Sequence, residues 1–192
     1  MTTVYFVRHA QPNYENHEDA ARELTEKGLR DRLLVEAYLR TETVDAVLSS
    51  PYRRAVDTVR PVAERRGLAM ELVEDFRERK VGPGWIEDFG GFTRKQWDDF
   101  SYRLPGGESL AQVQARNLRA LETVLAAHRG ETVVIGSHGT ALSTVLNAYD
   151  PAFGYVQFEK VKGLMPWLVK FTFDTAAPPA IEKIDLFAWN GG

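Results

Sequence analysis

Residues 2–7 form a near-continuous apolar run, the pattern of a strand covered on both faces rather than half exposed. The period then changes. From Leu24 to Arg40 the apolar residues Leu29, Leu33 and Ala37 stack at helical spacing, which predicts one helix. Residues 44–48 return to strand character, and Pro51 suits the first turn of the helix that follows. Met70, Leu72 and Phe76 predict a third strand near 69–75. Ser109-Leu110-Ala111-Gln112 is a capping-box pattern opening a helix to about His128, with Leu110, Val113, Leu118, Leu121 and Leu125 on its apolar side. Residues 131–136 give another strand, and Thr140 to Ala148 another helix. Strand-like pieces at 167–173 and 180–187 flank an Ala176-Ala177-Pro178-Pro179 turn, the arrangement of a hairpin. Strands alternating with helices predict an α/β fold, a three-layer α/β/α sandwich around a mostly parallel central sheet.

Residues 81–107 break this rhythm. Val81-Gly82-Pro83-Gly84-Trp85, Phe89-Gly90-Gly91-Phe92 and Leu104-Pro105-Gly106-Gly107 are turn-rich. Yet Trp85, Phe89, Phe92, Trp97, Phe100 and Tyr102 supply too much apolar surface for disorder. A long irregular segment inside a compact domain is usually functional. We therefore read a lid-like insertion in a single domain spanning 1–192, with Trp85 and Phe89 as lid candidates. Packing under the sheet edge is the competing reading.

Composition narrows the chemistry. A length of 192 residues suits one well-buried core, and 44% hydrophobic with 27% charged residues is ordinary for a globular protein. The net charge of -3 argues against non-specific nucleic-acid binding, which needs a strongly basic surface. Without cysteine there is no disulfide framework, thiolate nucleophile or Cys-ligated zinc. No export signal opens the chain and no apolar run approaches the roughly 20 residues that cross a bilayer, so a cytoplasmic location away from membranes is expected.

Two predicted strands run directly into histidine: Val4-Tyr5-Phe6-Val7-Arg8-His9 and Thr132-Val133-Val134-Ile135-Gly136-Ser137-His138. In an open α/β sheet, ligands bind outside the carboxyl ends of strands, so both imidazoles are expected at one cleft. A third junction, ending Ser49-Ser50-Pro51-Tyr52-Arg53-Arg54, brings arginine there. Arginine at a helix N-terminus opposes the dipole unless an anion is bound, and guanidinium forks match phosphate oxygens. At about 4 Å and an effective dielectric near 20, each charge pair contributes on the order of 4 kcal/mol before desolvation. Histidine with fixed guanidinium groups suits phosphoryl chemistry. His9 is a candidate nucleophile, provided that one nitrogen is free and the other held. Arg8 joins it only if the chain turns there, because neighbours on a strand point to opposite faces. The glycines around His138 let backbone approach a ligand, and the following helix aims its first N–H groups at the same spot. Arg53 and Arg54 are not separated by local spacing. Glu78 follows the third strand and is a candidate proton donor; a surface ion pair with its basic neighbours is the alternative. His17 and His128 read as a loop residue and a helix-end residue.

Together these segments resemble the histidine phosphatase, or phosphoglycerate mutase-like, superfamily. The resemblance rests on Val7-Arg8-His9-Ala10, Leu24-Thr25-Glu26-Lys27-Gly28, Ser49-Ser50-Pro51-Tyr52-Arg53-Arg54-Ala55-Val56-Asp57-Thr58, Glu78 with Gly82, Pro105-Gly106-Gly107-Glu108-Ser109 and Ser137-His138-Gly139, in family order. It implies a phosphoglycerate mutase-like fold and a covalent phosphohistidine on His9. Arg8, Arg54 and His138 would bind the phosphoryl oxygens, with Arg54 preferred to Arg53, and Glu78 would donate the proton. His138 then counts among the catalytic residues as well. No metal and no other cofactor is implied. The chain departs from the family at Ala10 and Pro12, where glycine and threonine are usual, and Gly84-Trp85-Ile86-Glu87 matches only loosely. Asn13 or Asn16 is a substitute for the missing threonine contact.

The expected activity is hydrolysis of phosphomonoesters, on a small phosphorylated metabolite or a phosphoprotein. A mutase, a phosphoprotein phosphatase and a non-catalytic binding or regulatory module are the alternatives. Glu15, Glu18, Asp19, Glu87 and Asp88 disfavour highly charged polyphosphates. Phe153, Tyr155, Phe158 and Trp167 would serve a homodimer surface or core packing equally well.

Overall fold

In chain order the elements are β1 (Thr2–Arg8), α1 (Glu26–Asp31), α2 (Leu33–Tyr38), β2 (Ala46–Ser49), α3 (Arg53–Arg66), β3 (Met70–Leu72) and α4 (Phe89–Asp98). They continue with α5 (Leu110–Ala127), β4 (Thr132–Ser137), α6 (Gly139–Tyr149), α7 (Tyr155–Val161), β5 (Trp167–Asp174) and β6 (Ala177–Ile184). The computed structural model describes residues 1–84, 86–174 and 177–189.

The six strands form one sheet in the order β3-β2-β4-β1-β5-β6. The four strands from β3 to β1 are parallel, and β5 and β6 continue antiparallel as the expected hairpin. Alternate side chains of β1 serve two cores. Val4 and Phe6 pack with Leu121, Leu142 and Leu146 on one face. Tyr5 and Val7 pack with Val35, Val59 and Val62 on the other. Helices thus cover both faces, the α/β/α layering that the apolar run of β1 requires.

Several elements differ from the sequence reading. The helix expected from Leu24 to Arg40 is broken at Arg32, and Leu29 and Leu33 are 42% and 53% exposed. Its inner face is set by Gly28, Val35 and Leu39. A Cβ at Gly28 would lie 2.2 Å from the Gln11 carbonyl oxygen, so backbone contact there fixes the rotation of the helix. Pro51 lies before α3 rather than in its first turn, because the Ser50 hydroxyl accepts the Tyr52 N–H and delays the helix to Arg53. The third strand stops at Leu72, and a short turn at Glu74–Phe76 drives Phe76 into the core. Pro178 and Pro179 belong to β6, an edge strand where a missing N–H is tolerated.

The 81–107 segment contains α4, capped by Asp88, whose side chain accepts the Gly91 N–H. Phe92 and Trp97 are buried, and Trp97 meets Phe100, Phe153 and Phe158 at 5.5, 6.3 and 5.5 Å between ring centres. Core packing thus accounts for Phe92, Trp97 and Phe100. Phe89 remains 51% exposed. Trp85 lies outside the described residues. Phe153, Phe158 and Trp167 are core residues, and the partly buried Tyr155 packs against the same core.

Candidate functional site

The register of β1 against β4 pairs Arg8 with Ser137, so the next residue of each strand, His9 and His138, emerges at the same sheet end. Their ring centres are 5.3 Å apart. Strand β2 pairs Ser49 with Gly136, which brings Ser50 alongside; its hydroxyl lies 2.7 Å from His138 Nε2. Three strand ends therefore converge, where an open α/β sheet places its ligand.

His9 is 5% exposed, and its Nδ1 lies 2.8 Å from the Ala10 carbonyl oxygen. A carbonyl only accepts, so Nδ1 carries the proton and the neutral ring keeps its lone pair on Nε2. Burial, then the charges of Arg54 and Arg8, hold His9 well below the usual histidine range. His138 is fully buried and lowered likewise, by burial first and then by Arg54. Its Nδ1 is buried without a hydrogen-bond partner. Both rings are accordingly uncharged near neutral pH.

Arg8 and Arg54 are 8% and 3% exposed. Arg8 Nη1 donates to the carbonyls of Val161, Lys162 and Leu164 at 3.0, 2.7 and 3.2 Å, anchoring it at the end of α7. Its Nε is buried and unpaired. Gly139, the first residue of α6, lies directly on this guanidinium: a Cβ there would be 2.9 Å from Nε. Arg54 turns inward while Arg53 points out to Asp57 with 60% of its side chain exposed, a separation that local spacing does not reveal. Arg54 donates through Nη1 to the Asp19 carbonyl and through Nη2 to Asp19 Oδ1 at 3.0 Å. Thr58, which the sequence reading did not single out as a site residue, accepts the Ala10 N–H at 2.9 Å and donates to the Arg54 carbonyl at 2.7 Å. It ties the histidine turn to the arginine helix.

Glu78 has a different setting from the one expected. Its carboxylate accepts N–H groups from Thr140, Ala141 and Arg79 at 3.1, 3.1 and 2.8 Å. The first N–H groups of α6, expected to face a ligand, are thus taken by Glu78, and no surface ion pair among the described residues holds it. The segment carrying it is clamped by buried Arg116, which donates to the carbonyls of Asp75, Arg77 and Glu78. Arg116 also grips Glu108 bidentately at 2.9 and 3.0 Å. Next to Glu78, Arg79 lies against both Phe89 and Phe92, its Cζ 5.3 and 5.2 Å from the ring centres.

Asn13 and Asn16, the expected substitutes for a threonine contact, both give their amide N–H groups to Glu23, each at 2.7 Å. These bonds lower Glu23 to about 2. His128 caps α5 and lies 2.7 Å from Glu131. Ala10 takes the glycine position without strain, since no non-glycine residue among those described has a positive φ. Among the described residues no group of three or more His, Cys, Asp or Glu side chains is placed to share a metal ion. Nor is any helix long and apolar enough to cross a membrane.

The family model for the histidine phosphatase superfamily (branch 1) matches residues 4–162. A probable phosphoglycerate mutase, GpmB, of Yersinia pestis (strain Pestoides F) is 30% identical over 165 residues, 77% of this chain and 74% of that protein. Among solved structures, Bacillus stearothermophilus YhfR superposes with a TM-score of 0.79 at 24% identity, covering 95% of this chain and 96% of that one. A phosphoserine phosphatase mutant from Entamoeba histolytica, in complex with phosphoserine, gives a TM-score of 0.77 at 20% identity, covering 96% and 97%. A mycobacterial glucosyl-3-phosphoglycerate phosphatase with inorganic phosphate gives 0.74 at 22%, covering 95% of both chains.

Proposed function

Since this chain belongs to the histidine phosphatase superfamily (branch 1), we propose that it hydrolyses phosphomonoesters through a phosphohistidine on His9, without a metal. The observation that carries this reading is the state of His9: a buried, uncharged imidazole whose Nδ1 is committed to Ala10. Only Nε2 retains a lone pair for attack. In the first step Nε2 bonds to phosphorus, the ester P–O bond breaks, and the leaving oxygen takes a proton from the Glu78 carboxyl. In the second, water attacks the phosphohistidine and returns a proton to Glu78, which frees inorganic phosphate and the imidazole.

The cage residues divide the remaining work. Arg8 and Arg54 stabilise the charge that spreads over the transferring oxygens. The unpaired Arg8 Nε and His138 Nδ1 are buried polar atoms that a bound oxyanion would satisfy. Phe89, half exposed beside Arg79, forms a cleft wall on the Glu78 side. The substrate class is a small phosphorylated metabolite, as suits the phosphoserine and sugar-phosphoglycerate names among structural neighbours.

A second reading, phosphoryl transfer within one substrate, is favoured by the 30% identity to a probable phosphoglycerate mutase. One experiment separates the two. A panel of phosphomonoesters is incubated with the protein in EDTA, and both free phosphate and isomerised ester are quantified. Phosphate release by the wild type and none by His9→Ala supports hydrolysis. Isomerised ester with little phosphate makes it a mutase. No turnover of any ester, with no acid-labile phosphate trapped on the wild type, overturns both.

A further inference from the structure

Arg54 is almost wholly buried, yet its fork is already engaged by an anion from its own chain. Nη1 meets the Asp19 carbonyl and Nη2 the Asp19 carboxylate, 35 residues away in sequence. The same segment supplies the Ala20 carbonyl to the Arg53 N–H at 3.0 Å, so it reaches across the start of α3 as well. Arg54 Cζ lies 5.1 Å from the Tyr52 ring centre, and that ring meets the His138 ring at 5.2 Å; after burial, the Arg54 charge does most to lower both imidazoles. Asp19 thus shares one cation with the place where a phosphoryl group would sit.

Asp19 is also built to let go. Its side chain is 45% exposed, against 3% for Arg54. The oxygen that faces Arg54 also faces Arg22 Nη1 at 3.3 Å, so the carboxylate keeps a cationic partner when Arg54 is withdrawn from it. The rest of the segment is pinned independently. Glu23 holds Asn13 and Asn16, and Arg22 Nε donates to the Asn16 carbonyl at 2.7 Å. Release of the Asp19 carboxylate from Nη2 therefore requires a side-chain swing rather than unfolding of the loop, while the Asp19 carbonyl stays on Nη1.

We propose that Asp19 is an affinity-determining residue, an internal carboxylate that occupies the Arg54 fork and competes with the phosphoryl group for it. This rests on the phosphatase reading of the cleft. A carboxylate beside Arg54 halves the positive charge that Arg8 and Arg54 offer an incoming dianion, and it repels that dianion directly. The substrate must either displace it toward Arg22 or bind with one negative charge fewer. Selectivity follows: esters carrying a second anionic group near the α3 end of the cleft are penalised most, and singly phosphorylated, otherwise neutral esters least.

The test measures binding separately from turnover. Inorganic phosphate and orthovanadate are titrated calorimetrically into the wild type, Asp19→Asn and Asp19→Ala, and KM and kcat are taken with p-nitrophenyl phosphate. Both variants are expected to bind phosphate about tenfold more tightly, the equivalent of about 1.4 kcal/mol, with the gain in KM rather than in kcat. Asp19→Glu, which keeps the charge, is expected to bind as the wild type does. Weaker or unchanged binding in Asn and Ala variants, with wild-type turnover intact, overturns the proposal and makes Asp19 a support for Arg54. Absence of phosphate and vanadate binding in every protein overturns it together with the phosphatase reading.

Discussion

Replacing Glu78 by Gln separates proton donation from architecture. The carboxylate accepts three backbone N–H groups, two of them at the first turn of α6. A Gln side chain can keep its oxygen toward Ala141 and Arg79, which share Oε1, but then turns its NH2 toward the Thr140 N–H. One bond is lost and two donors face each other, a cost of about 1–3 kcal/mol in stability. The variant should therefore melt lower but remain folded. Its rate on an alkyl phosphate should fall about 10²–10⁴-fold, the usual contribution of a positioned general acid. On p-nitrophenyl phosphate, whose leaving oxygen needs little protonation, the fall should be much smaller. Steady-state kinetics on the two esters, with calorimetric melting of the same preparations, gives all three numbers. Equal losses on both esters would show that Glu78 is only a tie between its segment and α6.

Three further outcomes are expected. Both His9 and His138 lie well below the ordinary histidine range when folded, so the unfolded chain takes up their protons first as pH falls. Their contribution is present above about pH 6.5 and lost below it; the melting temperature should decline between pH 7 and 5 and decline less in His9→Gln. The stabilisation held by the lowered Glu23 carboxylate is lost only as pH falls through the range from its ordinary value of 4.5 to about 2, below that window, so a flat profile would contradict two uncharged buried rings. Gly139→Ala should lower kcat/KM for every ester, because its methyl group would press on an Arg8 guanidinium that three carbonyls prevent from retreating; overpacking of this kind costs about 1–3 kcal/mol, and unchanged kinetics would place Arg8 outside the cage. Arg116→Met should cost about 3–5 kcal/mol in urea unfolding, since it leaves Glu108 short of its bidentate partner and frees three carbonyls, and should also reduce turnover through Glu78.

The parts of this molecule that speak through local pattern were legible in the sequence. Strands β1 and β4 are continuous apolar runs ending in histidine, and the Ser109 capping box is formed by both of its bonds. Helix α4 was hidden because Phe89-Gly90-Gly91 reads as a turn; the inward residues Phe92, Gln96 and Trp97 carry the helical spacing that would have found it. The error over Leu29 and Leu33 has a similar origin. A small residue pressed on backbone, Gly28, outranks two leucines in choosing which face turns inward. Contacts across long separations left no local trace. Glu78 meets α6 across 62 residues and Asp19 meets Arg54 across 35, and neither periodicity nor composition encodes such pairs.

The position of β1 has a consequence for how the molecule is made. Its neighbours are β4 and β5, which begin at Thr132 and Trp167. During synthesis from the N-terminus, the earliest of these six strands is among the last to acquire both edges. Valine and phenylalanine side chains near the front of the chain wait, unpaired, for more than a hundred residues to follow. Such non-local pairing slows folding and exposes a sticky edge meanwhile. A nascent chain halted before Thr132 carries one imidazole of the cleft without the strand that would deliver the other.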